Sequence, residues 1–305
     1  MSAVRNDATS VEVSRNEPLR KHTSWRVGGP ADLFYTPSTL ESLRRILTEL
    51  PAATPVHWLG LGSNLLVRDG GIRGAVIATS GLPRELDRLD EERVRASAGL
   101  ACMLLAKRCV RWQLGPAAFF AGIPGTVGGA LAMNAGAFGG ETWTQVESVT
   151  TIDRNGEIRE RSRADFEIGY RSVRGPADEW FLGATFRFEH DVVSSMDAIK
   201  ALLAKRNATQ PLGLPSCGSV FRNPPGDFAG RLIEQAGLKG HRHGGAMVSD
   251  KHANFIVNMG DATAADVEAL IDEVRAAVER ASGVRLALEV RVIGEPPDAT
   301  TKGGR

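Results

Sequence analysis

The chain has 305 residues, 42% of them hydrophobic, and its 37 basic and 36 acidic residues leave a formal net charge of +1. This length can enclose cores for two or three domains, whereas the near-zero charge disfavours nucleic-acid and membrane-surface partners. No apolar run reaches the roughly 20 residues of a membrane span, and the polar start MSAVRNDATS is unlike a signal peptide, so we expect a cytoplasmic protein.

Cysteines and histidines give no sign of a metal or disulfide framework. Cys102, Cys109 and Cys217 form no CxxC pair, and we predict that they are small core residues. His241 and His243 lie in a loop without a third ligand nearby. No metal is therefore predicted.

Residues 15–83 are predicted to form a first β-α-β unit, after a weakly ordered leader over residues 1–14. ADLFYTP, VHWLGLG and GAVIATS are typical of strands. Between the first two, Ser38 and Glu41 predict a capping box for a helix with leucines at helical spacing.

Residues 84–192 are predicted to form a second, β-rich unit. RVRASAGL reads as a strand, and the following helix, ACMLLAKRCVRWQLG, is expected to end at Gly115. Asn155-Gly156 predicts a hairpin turn within VESVTTIDRNGEIRERS, and EWFLGATFRFEH follows as a strand.

Residues 193–295 are predicted to form a third unit, before a weakly ordered tail over residues 296–305. A helix covers SMDAIKALLAKRN, and Thr263 and Asp266 predict a capping box for a longer helix that ends at Gly283. The closing strand, RLALEVRVIG, is placed so that it could return to the first unit.

Two glycine-rich stretches are candidate ligand-binding loops. AGIPGTVGGALAMNAGAFGGE, residues 121–141, has seven glycines and neither helical nor strand periodicity. LGLGSNLLVRDGGIRG, residues 59–74, follows a strand, but Leu65 replaces the third glycine of a dinucleotide fingerprint. Such stretches are often merely tight loops; as a pair, they suit a long phosphate-bearing molecule held between two subdomains by backbone amides.

Three single residues are candidates for chemistry, each with an ordinary alternative. Arg171 follows an aromatic in IGYRSV, where a lone arginine is usually a surface group. Ser219, in PSCGSVFRNPPG, is outside any G-x-S-x-G elbow and could simply stabilise a turn. Glu289, in LALEVRVIG, is either on a solvated strand face or buried for a reason.

Together with KHTSWRVGGPADLF, these motifs resemble the UDP-N-acetylenolpyruvoylglucosamine reductase (MurB) family from about Asn16 to Glu295. The resemblance implies an α+β fold, with an FAD-binding fold of the vanillyl-alcohol-oxidase (PCMH-like) type in two subdomains and a third, substrate-binding α+β domain. It also implies noncovalent FAD as cofactor and NADPH as reductant, and we expect a monomer.

The reaction implied by the resemblance is the reduction of UDP-N-acetylglucosamine enolpyruvate to UDP-N-acetylmuramate, a peptidoglycan precursor. Hydride passes from flavin N5 to the vinyl carbon, and Ser219 protonates the adjacent carbon. Arg171 and Glu289 stabilise the enol form between these steps.

The resemblance also assigns binding residues. The FAD pyrophosphate and its surroundings are expected to meet Gly60, Gly62, Ser63, Asn64, Leu65, Gly122, Ile123, Pro124, Gly125, Thr126, Gly128, Gly129, Asn134, Ala135 and Gly136. Candidates to meet the UDP-sugar come instead from the polar groups near the catalytic candidates and in the third unit: Tyr170, Lys205, Gln210, Arg222, Asn223 and His252, with Arg206, Asn254 and Asn258 as further candidates.

The chain resembles a shorter subclass of the family. Only 47 residues separate Arg171 from Ser219, and none is the tyrosine with which some members cover the substrate. Two rival functions share the glycine loops: an FAD-dependent oxidase of small alcohols or sugars, and a nucleotide-binding module without catalysis.

Overall fold

The structure, a computed structural model, describes residues 12–191 and 194–297. Six α-helices and twenty strands form within these described residues. The α-helices, numbered in chain order, are α1 (Leu40–Glu49), α2 (Cys102–Arg111), α3 (Val127–Met133), α4 (Met196–Thr209), α5 (Ala229–Gln235) and α6 (Ala264–Ser282). Single turns of 3₁₀-helix connect several of these elements.

The strands are numbered in the same way. Those before the glycine-rich stretch at 121–141 are β1 (Val13–Pro18), β2 (Pro30–Tyr35), β3 (Val56–Leu59), β4 (Leu65–Val67), β5 (Ile72–Ala78), β6 (Leu86–Arg88), β7 (Arg93–Ser97) and β8 (Leu114–Gly115). Those from that stretch onward are β9 (Gly136–Ala137), β10 (Gly140–Glu141), β11 (Val146–Asp153), β12 (Ile158–Ser162), β13 (Glu167–Gly169), β14 (Ser172–Arg174), β15 (Glu179–Arg187), β16 (Glu189–His190), β17 (Arg242–His243), β18 (Ala246–Val248), β19 (Ile256–Asn258) and β20 (Arg291–Ile293).

The first unit is a four-stranded sheet in the order β1-β2-β5-β3, with β5 parallel to both β2 and β3. Side chains alternate across β5, so that Ala75 and Ile77 pack under helix α1 while Val76 and Ala78 belong to the core on the other face. Strand β1 begins at Val13, within the segment expected to be a weakly ordered leader. Residues 1–11 of that leader lie outside the described residues.

The second unit is an antiparallel five-stranded sheet, β12-β11-β15-β7-β6, packed against α2 and α3. Its β11–β12 hairpin turns at Asn155-Gly156 as predicted, with Gly156 at a φ of 75°. Helix α2 ends at Arg111, so the predicted end at Gly115 is wrong. The chain leaves the helix earlier because Gln113 takes the left-handed conformation.

The third unit packs α5 and α6 against a small sheet, β17-β18-β19. Thr263 and Asp266 form the predicted capping box of α6, and Gly283 ends the helix in the left-handed conformation. Strand β20 pairs in parallel with β4, so the end of the described chain joins the first unit. Of the predicted tail, residues 298–305 lie outside the described residues.

Three local predictions need correction. The capping box of α1 uses Thr39 and Ser42 rather than Ser38 and Glu41, because the chain enters the helix one residue later. The stretch at 121–141 contains helix α3, which Thr126 caps and which continues through two glycines. The closing strand covers only β20, and Glu289 precedes it in an irregular segment.

Gly71 and Gly139 offer a matched test of backbone packing. Both have positive φ, 86° and 88°, but a Cβ at Gly71 would lie 2.0 Å from the Pro30 carbonyl oxygen, whereas one at Gly139 meets nothing within 4 Å. Alanine at either site carries a conformational cost of roughly 1–2 kcal/mol. We expect Gly71→Ala to reduce the free energy of unfolding by clearly more than Gly139→Ala, measured by urea denaturation; equal losses would contradict the packing argument.

Candidate functional site

A cavity of about 420 Å³ lies where the three units meet. Loop 60–64 after β3, the glycine-rich stretch and the segments around Ser219 and Glu289 all contribute to its wall. Most of the site residues predicted from sequence line it: Gly60, Gly62, Ser63, Asn64, Leu65, Gly122, Ile123, Pro124, Gly125, Thr126, Gly129, Ala135, Gly136, Arg171, Gln210, Ser219 and Glu289.

Loop 60–64 presents backbone donors. The N–H groups of residues 61–64 donate to no other described residue. Gly62 makes this turn possible, because its φ is 61° and a Cβ would lie 2.1 Å from the His22 carbonyl oxygen. The Asn64 side chain has a structural contact instead, since its Nδ2 donates to the Glu289 carbonyl oxygen at 3.0 Å. The loop therefore offers backbone N–H groups suited to an anionic ligand.

The second loop, residues 122–129, contributes differently. The N–H groups of Ile123, Gly125 and Val127 donate within the chain, to Phe120, Ile123 and Leu100. The loop instead presents backbone without side chains to the cavity. A Cβ at Gly125 would lie 3.5 Å from the Ser63 hydroxyl oxygen, between the two loops. This loop allows close approach rather than offering free donors.

Two of the predicted cofactor residues do not line this cavity: Gly128 lines an adjoining one, and Asn134 lines neither. Gly128 packs against Ala98, where a Cβ would lie 2.9 Å from the Ala98 Cβ. Asn134 is buried, and its side chain donates to the Gly169 carbonyl and accepts from the Trp143 N–H. Asn134 therefore supports the glycine stretch from the interior of the protein.

A second cavity of about 270 Å³ adjoins the first and shares six wall residues with it, Trp58, Gly60, Thr126, Gly129, Ala132 and Arg291. Trp58 stacks on Trp180 with ring centroids 5.4 Å apart, and its buried Nε1–H has no partner among the described residues. Together the two cavities form an extended cleft. Sequence reasoning missed Trp58, although an aromatic directly before the first glycine loop could have drawn attention to it.

Arg171 lies at the turn between β13 and β14, at a φ of 53°. Its Nη1 and Nη2 donate to the carbonyls of Asn134 and Gly136, at 3.2 and 2.8 Å, and its Nε donates to Glu289 Oε1 at 3.1 Å. Only 15% of the side chain is exposed. Because these three hydrogen bonds fix the guanidinium plane, the arginine is held with one edge at the cavity.

Glu289 lies mostly buried beside this arginine, with 17% of its side chain exposed. Burial raises the pKa of its carboxyl group, while the charges of Arg171 and Arg222 act in the opposite direction. The Glu289 N–H donates to the Val220 carbonyl at 2.8 Å. Because Val220 follows Ser219 directly, this bond brings the serine and the carboxylate to the same part of the cavity.

Only some of the residues expected to bind the substrate line the cavity. Gln210 and its partner Arg206 line the cavity, whereas Lys205 is exposed and outside it. Tyr170 is exposed, with its ring centroid 5.1 Å from Arg171 Cζ. Asn223 and His252 lie outside the cavity wall.

The remaining expected substrate residues contact the backbone or neighbouring side chains. Arg222 Nη2 donates to the Arg171 carbonyl at 3.2 Å. The His252 ring lies against Phe255, a wall residue that sequence reasoning missed, as it missed Arg291. Asn254 and Asn258, also expected to meet the substrate, are buried and bonded to backbone groups, so that expectation is corrected.

Cysteine and histidine side chains have structural contacts. The three thiols are buried, and burial raises the pKa of each to about 12, consistent with the predicted packing role. His241 and His243 both bond to the Glu273 carboxylate at 2.7 Å. Across residues 12–191 and 194–297 there is no cluster of three metal-ligating side chains, and no helix in these ranges is long and apolar enough to cross a bilayer.

The raised pKa of Glu289 predicts a pH dependence of stability. Between the pKa of this carboxyl in the unfolded chain and its higher folded value, the folded state binds more protons, so the free energy of unfolding should fall as pH rises. We expect Glu289→Gln to remove this component, so the difference from wild type should change through that window. Urea denaturation at a series of pH values measures it; a constant difference would contradict the assignment.

Comparisons with known proteins agree with this geometry. The family model described as the UDP-N-acetylenolpyruvoylglucosamine reductase C-terminal domain matches residues 210–293, and one described as an FAD-binding domain matches residues 31–162. The reductases of Alkalilimnicola ehrlichii and Methylococcus capsulatus are each 57% identical to this chain, and the matches cover 93% and 92% of it and 95% and 92% of those proteins.

A solved structure extends the agreement to the fold. The crystal structure of UDP-N-acetylenolpyruvylglucosamine reductase (MurB) from Thermus caldophilus superposes with a TM-score of 0.76 at 35% identity, covering 93% of this chain and 98% of that one. With the FAD-binding domain match, this confirms the α+β fold of the predicted FAD-binding type. The chain belongs to the UDP-N-acetylenolpyruvoylglucosamine reductase family.

Proposed function

We propose that the chain is an FAD-dependent reductase that uses NADPH to convert UDP-N-acetylglucosamine enolpyruvate to UDP-N-acetylmuramate, in peptidoglycan precursor synthesis. The observation that carries this proposal is the meeting of Arg171, Glu289 and Ser219 at one cavity, beside a loop of unpaired backbone N–H groups. Family membership supports the same reaction.

The cleft fits FAD. The free N–H groups of residues 61–64 suit its pyrophosphate, and the two adjoining cavities give room for an extended dinucleotide. Trp58 offers a buried donor and a flat ring where the cavities join. When bound, FAD supplies a carrier that takes hydride from NADPH and delivers it to the vinyl carbon of the substrate.

Residues of the chain stabilise the charge that develops on the substrate and supply the proton. Addition of hydride to the vinyl carbon moves negative charge toward the substrate carboxylate, and the fixed guanidinium of Arg171 stabilises that charge. Glu289 accepts a hydrogen bond from the Arg171 Nε and, in this proposal, assists in stabilising the enol form. Ser219 then gives its hydroxyl proton to the adjacent carbon and regains one from solvent, so that one hydride and one proton are added overall.

Arg206 is suited to the substrate diphosphate. It is half-buried at the cavity wall, burial lowers its pKa, and its Nε donates to the neutral Gln210 side chain rather than to a carboxylate. An arginine fork that pairs with no acidic group of the described residues favours an anionic ligand. Lys205, the neighbouring cation, points to solvent.

The proposed function is tested by following the flavin spectrum of the holoenzyme anaerobically. We expect NADPH to bleach the absorbance and the UDP-sugar enolpyruvyl ether to restore it, whereas small alcohols with oxygen as acceptor give no turnover. In Ser219→Ala, bleaching should proceed as in wild type and recovery should slow by roughly 10²–10⁴-fold. A wild-type flavin that the ether leaves reduced would overturn the proposal.

The pair Arg206 and Lys205 tests where the diphosphate binds. Because Arg206 lines the cavity, we expect Arg206→Gln to raise KM for the UDP-sugar by roughly tenfold or more, in line with loss of a charge-assisted hydrogen bond. Lys205→Gln, one residue away and exposed, should change KM much less. Steady-state kinetics measures both, and an equal or larger effect at Lys205 would contradict the assignment.

A further inference from the structure

We propose that Asn254 is a positioning residue that holds Ser219 and Glu289 in register by binding the backbone of Phe221 with its side-chain amide. This inference rests on the proposed function. It concerns a residue that is itself outside the cavity wall and so would act through its neighbours.

The Asn254 amide acts as a two-point clamp. Its Oδ1 accepts from the Phe221 N–H at 2.9 Å, and its Nδ2 donates to the Phe221 carbonyl at 2.8 Å. The Asn254 backbone carbonyl also accepts from the Val220 N–H at 2.9 Å. With 3% of its surface exposed, the residue makes these bonds away from competing water.

The clamped segment is the one that joins the catalytic candidates. On its other edge, the Val220 carbonyl accepts from the Glu289 N–H, and the Arg222 N–H donates to the Ala287 carbonyl at 2.8 Å. Ser219 directly precedes this segment. Residues 220–222 are therefore held between Asn254 and the Glu289 segment, and a shift of Phe221 would move the serine relative to the carboxylate.

Only an amide side chain satisfies both backbone groups of Phe221 at every pH. An aspartate can do so when protonated, because the carboxylic acid donates one hydrogen bond and accepts another. Once ionised, it loses the donor and sets a charge against the Phe221 carbonyl in a buried site, which is costly. In Asn254→Asp, the two hydrogen bonds to Phe221 should therefore form at low pH and be weakened once the carboxyl group ionises.

Nearby charges act on this clamp only indirectly. One titratable neighbour is His252, whose Nδ1 accepts from the Asn254 N–H at 3.3 Å; burial lowers its pKa, and Lys239 and Glu234 exert opposing charge effects on it. These groups are present in the wild type as well. Comparison with the wild-type pH profile removes their contribution.

Asn258 supplies the matched control. It is equally buried, and its amide donates to the Trp25 carbonyl and accepts from the N–H groups of Gly260 and Ala262. Asn258→Asp introduces the same buried carboxyl without touching residues 220–222. It should lower stability while leaving the wild-type pH profile of the flavin reaction intact.

The test measures the two half-reactions of the holoenzyme separately by stopped flow at a series of pH values. In Asn254→Asp we expect bleaching by NADPH to match wild type, and recovery with the UDP-sugar to be near wild type at low pH but roughly tenfold to a hundredfold slower at high pH. Asn254→Ala should be slow at every pH, with kcat reduced and KM for the UDP-sugar little changed.

Each outcome decides the matter. Recovery in Asn254→Asp that follows the wild-type profile would overturn the inference, as would the same pH-dependent loss in Asn258→Asp. Failure of both Asn254→Asp and Asn254→Ala to fold with FAD bound would overturn it in favour of a purely structural role. A wild-type flavin that the UDP-sugar does not reoxidise would instead count against the proposed function.

Discussion

The hydrogen-bonded ion pair between Arg171 and Glu289 is the contact on which the arrangement of the site depends. It joins the β13–β14 turn of the second unit to the segment before β20 in the third. Both side chains are more than four-fifths buried, so either one alone would leave a poorly solvated charge. The pair thus ties the relative position of two units to the chemistry of the cavity between them.

The same constraint explains why Arg171 tolerates a left-handed backbone. A non-glycine residue at positive φ costs energy unless its surroundings compensate. Here the side chain makes three hydrogen bonds and the Arg171 carbonyl accepts a fourth from Arg222. The strained turn directs the guanidinium toward the carbonyls of the glycine-rich stretch, so loop geometry and charge placement are determined together.

Local signals in the sequence predicted the elements whose determinants are local. The Thr263–Asp266 capping box and the Asn155-Gly156 turn depend on side chains within a few residues, and both are found. Gly115 was misleading because Gln113 could take the left-handed conformation first, which sequence does not reveal. Arg291 reaches the cavity wall from β20, which pairs with β4 across more than two hundred residues of sequence.

The segment after Ser219 shows why a side chain, rather than another strand, completes the site. Gly218 turns the chain at a φ of 73° just before the serine, and the two prolines at 224 and 225 lack N–H groups, so residues 220–222 are too short to extend a ladder in either direction. One edge of this segment pairs with residues 287–290, and the other would leave the buried N–H and carbonyl of Phe221 unsatisfied. An asparagine amide has the donor and acceptor spacing of a peptide group and fills that edge without the length of a strand. The hydrogen bonds on both edges thereby fix the position of residues 220–222, as in a sheet, while Ser219 remains at the cavity wall.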